Sequence, residues 1–149
     1  MEILTSKDKL DIRDCVATIG NFDGLHLGHS KIINSARKIA NFNSSKSLLI
    51  TFNPHPVEVL DGNALNYLIT SFEKKIELLS DSGIDFLYVI EFDSEFANIE
   101  ADDFIKFFLC KKFNPSDIVI GYDHFFGKNR KGSFKLLNKY KKDFSYNLH

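Results

Sequence analysis

Two rhythms of apolar residues run along this chain. Short runs rich in apolar and β-branched residues, at 16–21, 47–52, 85–92 and 117–121, are separated by stretches where apolar residues return every three or four positions. The runs predict strands buried on both faces, and the spaced stretches predict amphipathic helices. The first helix carries Ile32, Ile33, Ala36, Ile39 and Ala40 on one face and ends near Ala40, before the polar turn 41–46. The second starts at Ser71, a good N-cap, repeats Phe72, Ile76 and Leu79, and stops at Gly83. The third covers roughly 100–112, where Ala101, Phe104, Ile105, Phe108 and Leu109 form a core stripe. Residues 1–14 hold at most a short edge strand, 57–70 read as an irregular connection, 93–97 as a turn, and 143–149 as the start of a fifth strand. Strands alternating with helices predict an α/β fold with a central, mainly parallel sheet flanked by helices, joined by right-handed crossovers.

Composition narrows the function classes. The 149 residues fit one domain, and a hydrophobic fraction of 44%, with 15 Phe, is enough for a substantial core. Nineteen Lys and Arg against 20 Asp and Glu leave a formal charge of −1. That balance gives no electrostatic case for nucleic acid or for an anionic membrane. Cys15 and Cys110 lack CxxC spacing and read as reduced, part-buried thiols. The N-terminus has no signal-peptide pattern, and no apolar run nears the ~20 residues of a membrane helix. A cytoplasmic protein without a membrane partner is the expectation.

The candidate chemistry lies where the predicted strands end. The first strand runs into Gly20-Asn21-Phe22-Asp23-Gly24-Leu25-His26-Leu27-Gly28-His29 and then into a helix. A helix N-terminus presents free N–H groups and a partial positive charge that suit phosphate, and glycines let an anion approach the backbone. His26 and His29, three apart, point the same way if both lie in the first turn. The pair could instead be satisfied structurally, or ligate zinc. Zinc needs three or four ligands, which His55 and His124 would complete only by coincidence of folding. The second strand ends in Phe52-Asn53-Pro54-His55-Pro56. This is either a rigid turn or a ligand loop, since ligands of open α/β sheets bind beyond the C-terminal strand ends. A third loop, 121–132, follows the fourth strand and holds Asp123 and Phe126. The basic residues of 128–142 are a solvated helix face or, in the first members, partners for a triphosphate. Asp23 and Asp123 could each be simple turn formers.

These three loops carry a family resemblance. Gly20–His29 resembles the GxFDGxHxGH signature of the bacterial FAD synthetases, members of the HxGH nucleotidyltransferase superfamily. Thr51–Pro56 resembles their Thr-Phe-x-Pro-His-Pro motif, and Gly121–Gly127 their Gly-x-Asp/Asn-x-x-Phe-Gly motif. The resemblance implies a Rossmann-like nucleotidyltransferase fold and the reaction FMN + ATP → FAD + pyrophosphate, with Mg²⁺ accompanying ATP. It implies catalytic roles for His26, His29 and Asp123, and nucleotide contacts from Gly20, Asn21, Phe22, Asp23, Gly24 and Gly28. It also implies flavin contacts from Phe52, Asn53, Pro54, His55, Pro56 and Phe126. Any metal ligands among the side chains stay open. Phe125 stands where the family often has Arg. The family's later Ser-Ser-Thr-x-Ile-Arg motif and riboflavin kinase module have no counterpart here, so the expectation is an adenylyltransferase domain over 1–149 lacking its C-terminal end. Two alternatives stand beside it. One is a non-catalytic fragment that only binds nucleotide or flavin, and the other is an adenylyl- or cytidylyltransferase with a different phosphorylated acceptor.

Overall fold

A computed structural model describes residues 1–9, 12–61 and 68–149. Six strands pair in parallel in the order β1-β4-β3-β2-β5-β6. They are β1 (Glu2–Leu4), β2 (Val16–Ile19), β3 (Ser47–Asn53), β4 (Phe86–Glu91), β5 (Asp117–Val119) and β6 (Asn147–Leu148). β1 is the short edge strand expected near the N-terminus, and β6 the expected last strand. The order doubles back between β2 and β5, where Val16 lies opposite Asp117. In such sheets the two connections leaving that point diverge and open a crevice at the strands' C-terminal ends.

Alternation along each strand divides the core. Leu48, Ile50 and Phe52 of β3 join Ala17, Ile19, Tyr88, Ile90 and Ile118 on one face. Leu49, Leu87 and Val89 face the other, with Phe22, Ile33 and Leu79. Both faces are apolar because both are covered, as the continuous strand runs required. α1 (Leu27–Phe42) and α3 (Phe72–Ser80) cover one face. The opposite face is covered by α5 (Ala101–Asp103), a π-helical stretch Phe104–Cys110, α6 (Lys111–Phe113) and α7 (Phe134–Tyr140). The predicted third helix therefore exists, but its middle is wound more widely than an α-helix. Of its core stripe, Ala101, Phe104, Ile105 and Leu109 are buried and Phe108 is partly buried against them, and Cys110 and Phe113 are buried as well. Asn114, in the left-handed conformation at φ 43°, ends it.

Two connections are more ordered than the apolar rhythm suggested. α2 (Pro56–Asp61) occupies the start of the stretch expected to be irregular, and α4 (Ser94–Ala97) is a single helical turn capped by Asp93. Neither has enough apolar residues to show a period. Both are set by their starts: Pro56 suits a first helical position, and the Asp93 carboxylate accepts the Phe96 N–H at 2.7 Å. The rest of the expected irregular connection, 62–67, lies outside the described residues. Cys15 and Cys110 are buried and unbridged, and burial pushes both thiols up to about 12.

Candidate functional site

The crevice at the β2/β5 reversal collects the loops after β2, β3 and β5. The first turns tightly. Phe22 is buried at 1% exposure yet sits in the left-handed region at φ 50°, and a short 3₁₀ turn, Asp23–Leu25, carries the chain to α1. His26 is the residue before α1, and no side chain caps that helix. The first N–H groups of a 16-residue helix are therefore left facing the crevice, an arrangement suited to an anion.

The two histidines meet there. Their rings stack with centroids 3.8 Å apart and planes inclined by 20°. Gly28 makes this possible, because a Cβ at that position would lie 3.0 Å from His26 Cε1 and 3.1 Å from Nδ1. The Phe22 ring lies 5.1 Å from that of His29 on the core side. His29 Nδ1 is buried with no partner among the described residues. Burial first, then the neighbouring His26, push the His29 pKa below its usual 6.5, against the pull of Asp23. His29 is thus neutral at pH 7 and offers one N–H. Gly121 lets α1 pack close to the end of β5, since a Cβ there would meet Ile32 Cδ1 at 3.2 Å.

Asp23 secures a segment distant in sequence. Its carboxylate accepts the N–H groups of Ile69 and Thr70, both at 2.9 Å, and the Thr70 hydroxyl at 2.8 Å. Burial works to raise this carboxyl. The hydrogen bonds outweigh it, with help from His55, and hold the group below the ordinary range.

The loop after β3 carries a cis Asn53–Pro54 bond and then starts α2. The Val57 N–H donates to His55 Nδ1 at 3.2 Å, while the His55 N–H donates to Glu58 Oε1 at 2.8 Å. This is a capping box in which histidine takes the place of serine or threonine. Because Nδ1 accepts, neutral His55 carries its proton on Nε2. Burial and Lys75 lower its pKa, while Asp23 and Glu58 oppose them. A cavity of about 20 Å³, close to one water molecule, lies between Asp23, Asn53, His55, Thr70 and Lys75. Phe52 borders it, but its ring packs edge-on against Phe92 and Phe96 in the core.

The loop after β5 exposes Tyr122 and Asp123 and buries Phe126, whose ring packs on Phe104. His124 stacks on Phe126, and burial, then Arg130, lower its pKa to about 4. Gly127, at φ +69°, touches Ala101 so closely that a Cβ would stand 2.7 Å from its Cα. Lys128 and Lys131 lie 3.7 and 3.8 Å from the Glu100 carboxylate. Arg130 stacks over Phe125 at 5.3 Å.

Of the residues singled out from sequence, Gly20–Gly24, His26, Gly28 and His29 form one turn, and Asn53–Pro56 flank it across Asp23. Phe52 and Phe126 belong mainly to the core. Among the described residues no group of three or more His, Cys, Asp or Glu side chains could hold a metal ion. The apolar rhythm missed Lys75, only 4% exposed, which donates to the carbonyls of Asn21 at 3.1 Å and Phe52 at 3.2 Å. Its signal was present: position 75 lies on the helix face of Phe72, Ile76 and Leu79, where a charge is unexpected. Burial pushes its pKa down, against Asp23 and Glu58.

Residues 8–149 match the family described as FAD synthetase. A bifunctional riboflavin kinase/FMN adenylyltransferase from Buchnera aphidicola subsp. Schizaphis graminum is 38% identical over 122 residues, covering 82% of this chain and 39% of that protein. The Escherichia coli K12 protein of the same description is 30% identical over 134 residues, covering 90% of this chain and 43% of that one. A crystal structure described as a macrolide-efflux protein from Streptococcus pneumoniae superposes with a TM-score of 0.82 at 29% identity, covering 99% of this chain and 49% of that one. The chain thus spans less than half the length of the curated relatives it matches.

Proposed function

Because this chain belongs to the FAD synthetase family, we propose that residues 1–149 are an FMN adenylyltransferase domain. It would transfer AMP from ATP to the phosphate of FMN, giving FAD and pyrophosphate. The observation that carries this reading is the stacked His26–His29 pair over Gly28 at the uncapped start of α1.

The FMN phosphate oxygen forms a bond to the α-phosphorus as the bond to pyrophosphate breaks. The nucleophile is already an anion, so the protein's task is alignment and charge stabilisation. The free N–H groups of α1 and the ring N–H groups of His26 and His29 would meet the phosphate oxygens. Gly20–Gly24 would lie along the nucleotide, and Asn53–Pro56 would border the flavin, with Phe52 and Phe126 backing that surface from the core. Mg²⁺ would arrive with ATP and neutralise phosphate charge, held mainly by phosphate oxygens. Asp123, exposed in the loop after β5, would act on the phosphates as a catalytic carboxylate. The substrates would be small molecules, and the setting that goes with this reading is the cytoplasm. No described helix is long and apolar enough to cross a membrane.

A second reading, binding without turnover, is favoured by charge. Lys128 and Lys131 face Glu100 and His29 is neutral, so among the basic residues 128–131 Arg130 alone is outside an ion pair with the described residues. Chromatography of FMN, ATP and Mg²⁺ incubations, with wild type beside His29→Ala, separates the two. FAD formed by wild type and abolished in His29→Ala supports transfer. Tight FMN and ATP binding without FAD supports the second reading, and neither binding nor turnover removes both.

A further inference from the structure

Lys75 is a nearly fully buried charge with no place in the chemistry above. It projects from α3 into the layer between helix and sheet, where its ammonium reaches three groups. These are the Asn21 carbonyl at 3.1 Å, the Phe52 carbonyl at 3.2 Å and the Thr51 hydroxyl at 3.4 Å. Thr51 in turn donates to the same Asn21 carbonyl at 3.2 Å. Asp23, His55 and Glu58 are the titratable groups around it. A buried ammonium is costly unless fully paired, so these bonds are strong constraints on the carbonyls that receive them.

The Asn21 carbonyl belongs to the peptide plane that leads into Phe22. Fixing that plane helps hold Phe22 in the left-handed region, at φ 50° and ψ 36°, a conformation a bulky side chain rarely adopts. That conformation directs the Phe22 ring onto His29. We propose that Lys75 is a positioning residue for the histidine pair, acting through the Asn21 carbonyl and the Phe22 ring. Its bond to Phe52 ties the loop after β3 to the same anchor, so one side chain registers the loops after β2 and β3 together. The catalytic consequence rests on the adenylyltransferase reading; the positioning does not.

The test uses the whole chain with Lys75→Met and Lys75→Arg. The imidazole proton resonances of His29 feel ring currents from Phe22 and His26, and they report the arrangement without turnover. In Lys75→Met, folded by circular dichroism, they move toward the positions of free histidine, and Lys75→Arg restores part of the displacement. FAD formation in Lys75→Met falls roughly tenfold or more in kcat, the loss of a charge-assisted positioning bond, with a smaller change in KM. Should Lys75→Met fail to fold, Lys75→Gln keeps a shorter neutral donor and gives a smaller shift in the same direction. Unchanged His29 resonances in a folded Met or Gln variant overturn the proposal. An inactive wild type whose His29 signals still move in the variant sinks the adenylyltransferase reading and leaves Lys75 positioning intact.

Discussion

Gly28→Ala is a substitution whose effects on stability and on function should have opposite signs. Gly28 is the second residue of α1, and its φ is not in the positive range that demands glycine. Alanine there should favour the helix by a few tenths to ~1 kcal/mol. For a chain of this length that raises Tm by up to about 2–4 °C. The added Cβ would stand 3.0 Å from His26 Cε1, with the His29 ring 3.8 Å away in the stack. The imidazole must rotate or slide by several tenths of an ångström to escape. A displaced donor loses a charge-assisted bond in the transition state, ~1.5–3 kcal/mol, or roughly 10- to 100-fold in kcat. Thermal melting and the FAD assay on one preparation measure both. In a chain that binds without turnover, the second readout becomes ATP affinity. Wild-type turnover in Gly28→Ala would refute the claim that glycine is there for the histidine. A Tm that falls together with activity would refute the helix argument.

Other expectations follow from single contacts. The His124 imidazole titrates at about 4 when folded, against 6.5 for the free group, so the unfolded chain takes up the proton first. Its contribution is complete above pH 6.5 and is lost as pH falls toward 4, by up to ~3 kcal/mol; urea melts at pH 7 and 4.5 should show the loss, and His124→Phe should reduce it. Asp23→Ala strands three donors on Ile69 and Thr70, so it should cost ~1–3 kcal/mol and speed amide exchange at those two residues. Gly127→Ala should destabilise by more than ~1 kcal/mol, since its left-handed φ and contact with the Ala101 backbone leave no room to relax. A thiol reagent should label Cys15 and Cys110 only after denaturation, because both are buried.

What could be read in the chain followed from what is local. β3 and β4 declared themselves because both faces are covered, and α1 because Ile33, Ala36 and Ala40 share one buried face. The same strand property hid the fate of Phe52. In a strand apolar on both sides, the sequence does not say which rings reach a crevice and which fill the core. α2 escaped because its cue is His55 paired with Glu58, a cap chemistry usually associated with serine or threonine. Asp23 is 46 and 47 residues from the donors it binds, so its anchoring role existed only after folding. Lys75 was legible in principle as a charge on an apolar face, but its partners belong to two other strands' ends.

The reversal of strand order between β2 and β5 has a consequence for how the chain acquires its site. The β2–α1–β3 unit is nearly contiguous and can assemble early, bringing the histidine turn and the loop after β3 together. β5 joins only by closing a loop of about 100 residues, the separation of the Asp14–Asn114 hydrogen bond beside it. Such a closure costs on the order of 4 kcal/mol in chain entropy before any contact rewards it. The crevice is therefore assembled in two instalments, and its second wall is a late arrival. A ligand that bridges both walls binds only the finished sheet, and its binding energy adds to the hold on that pairing.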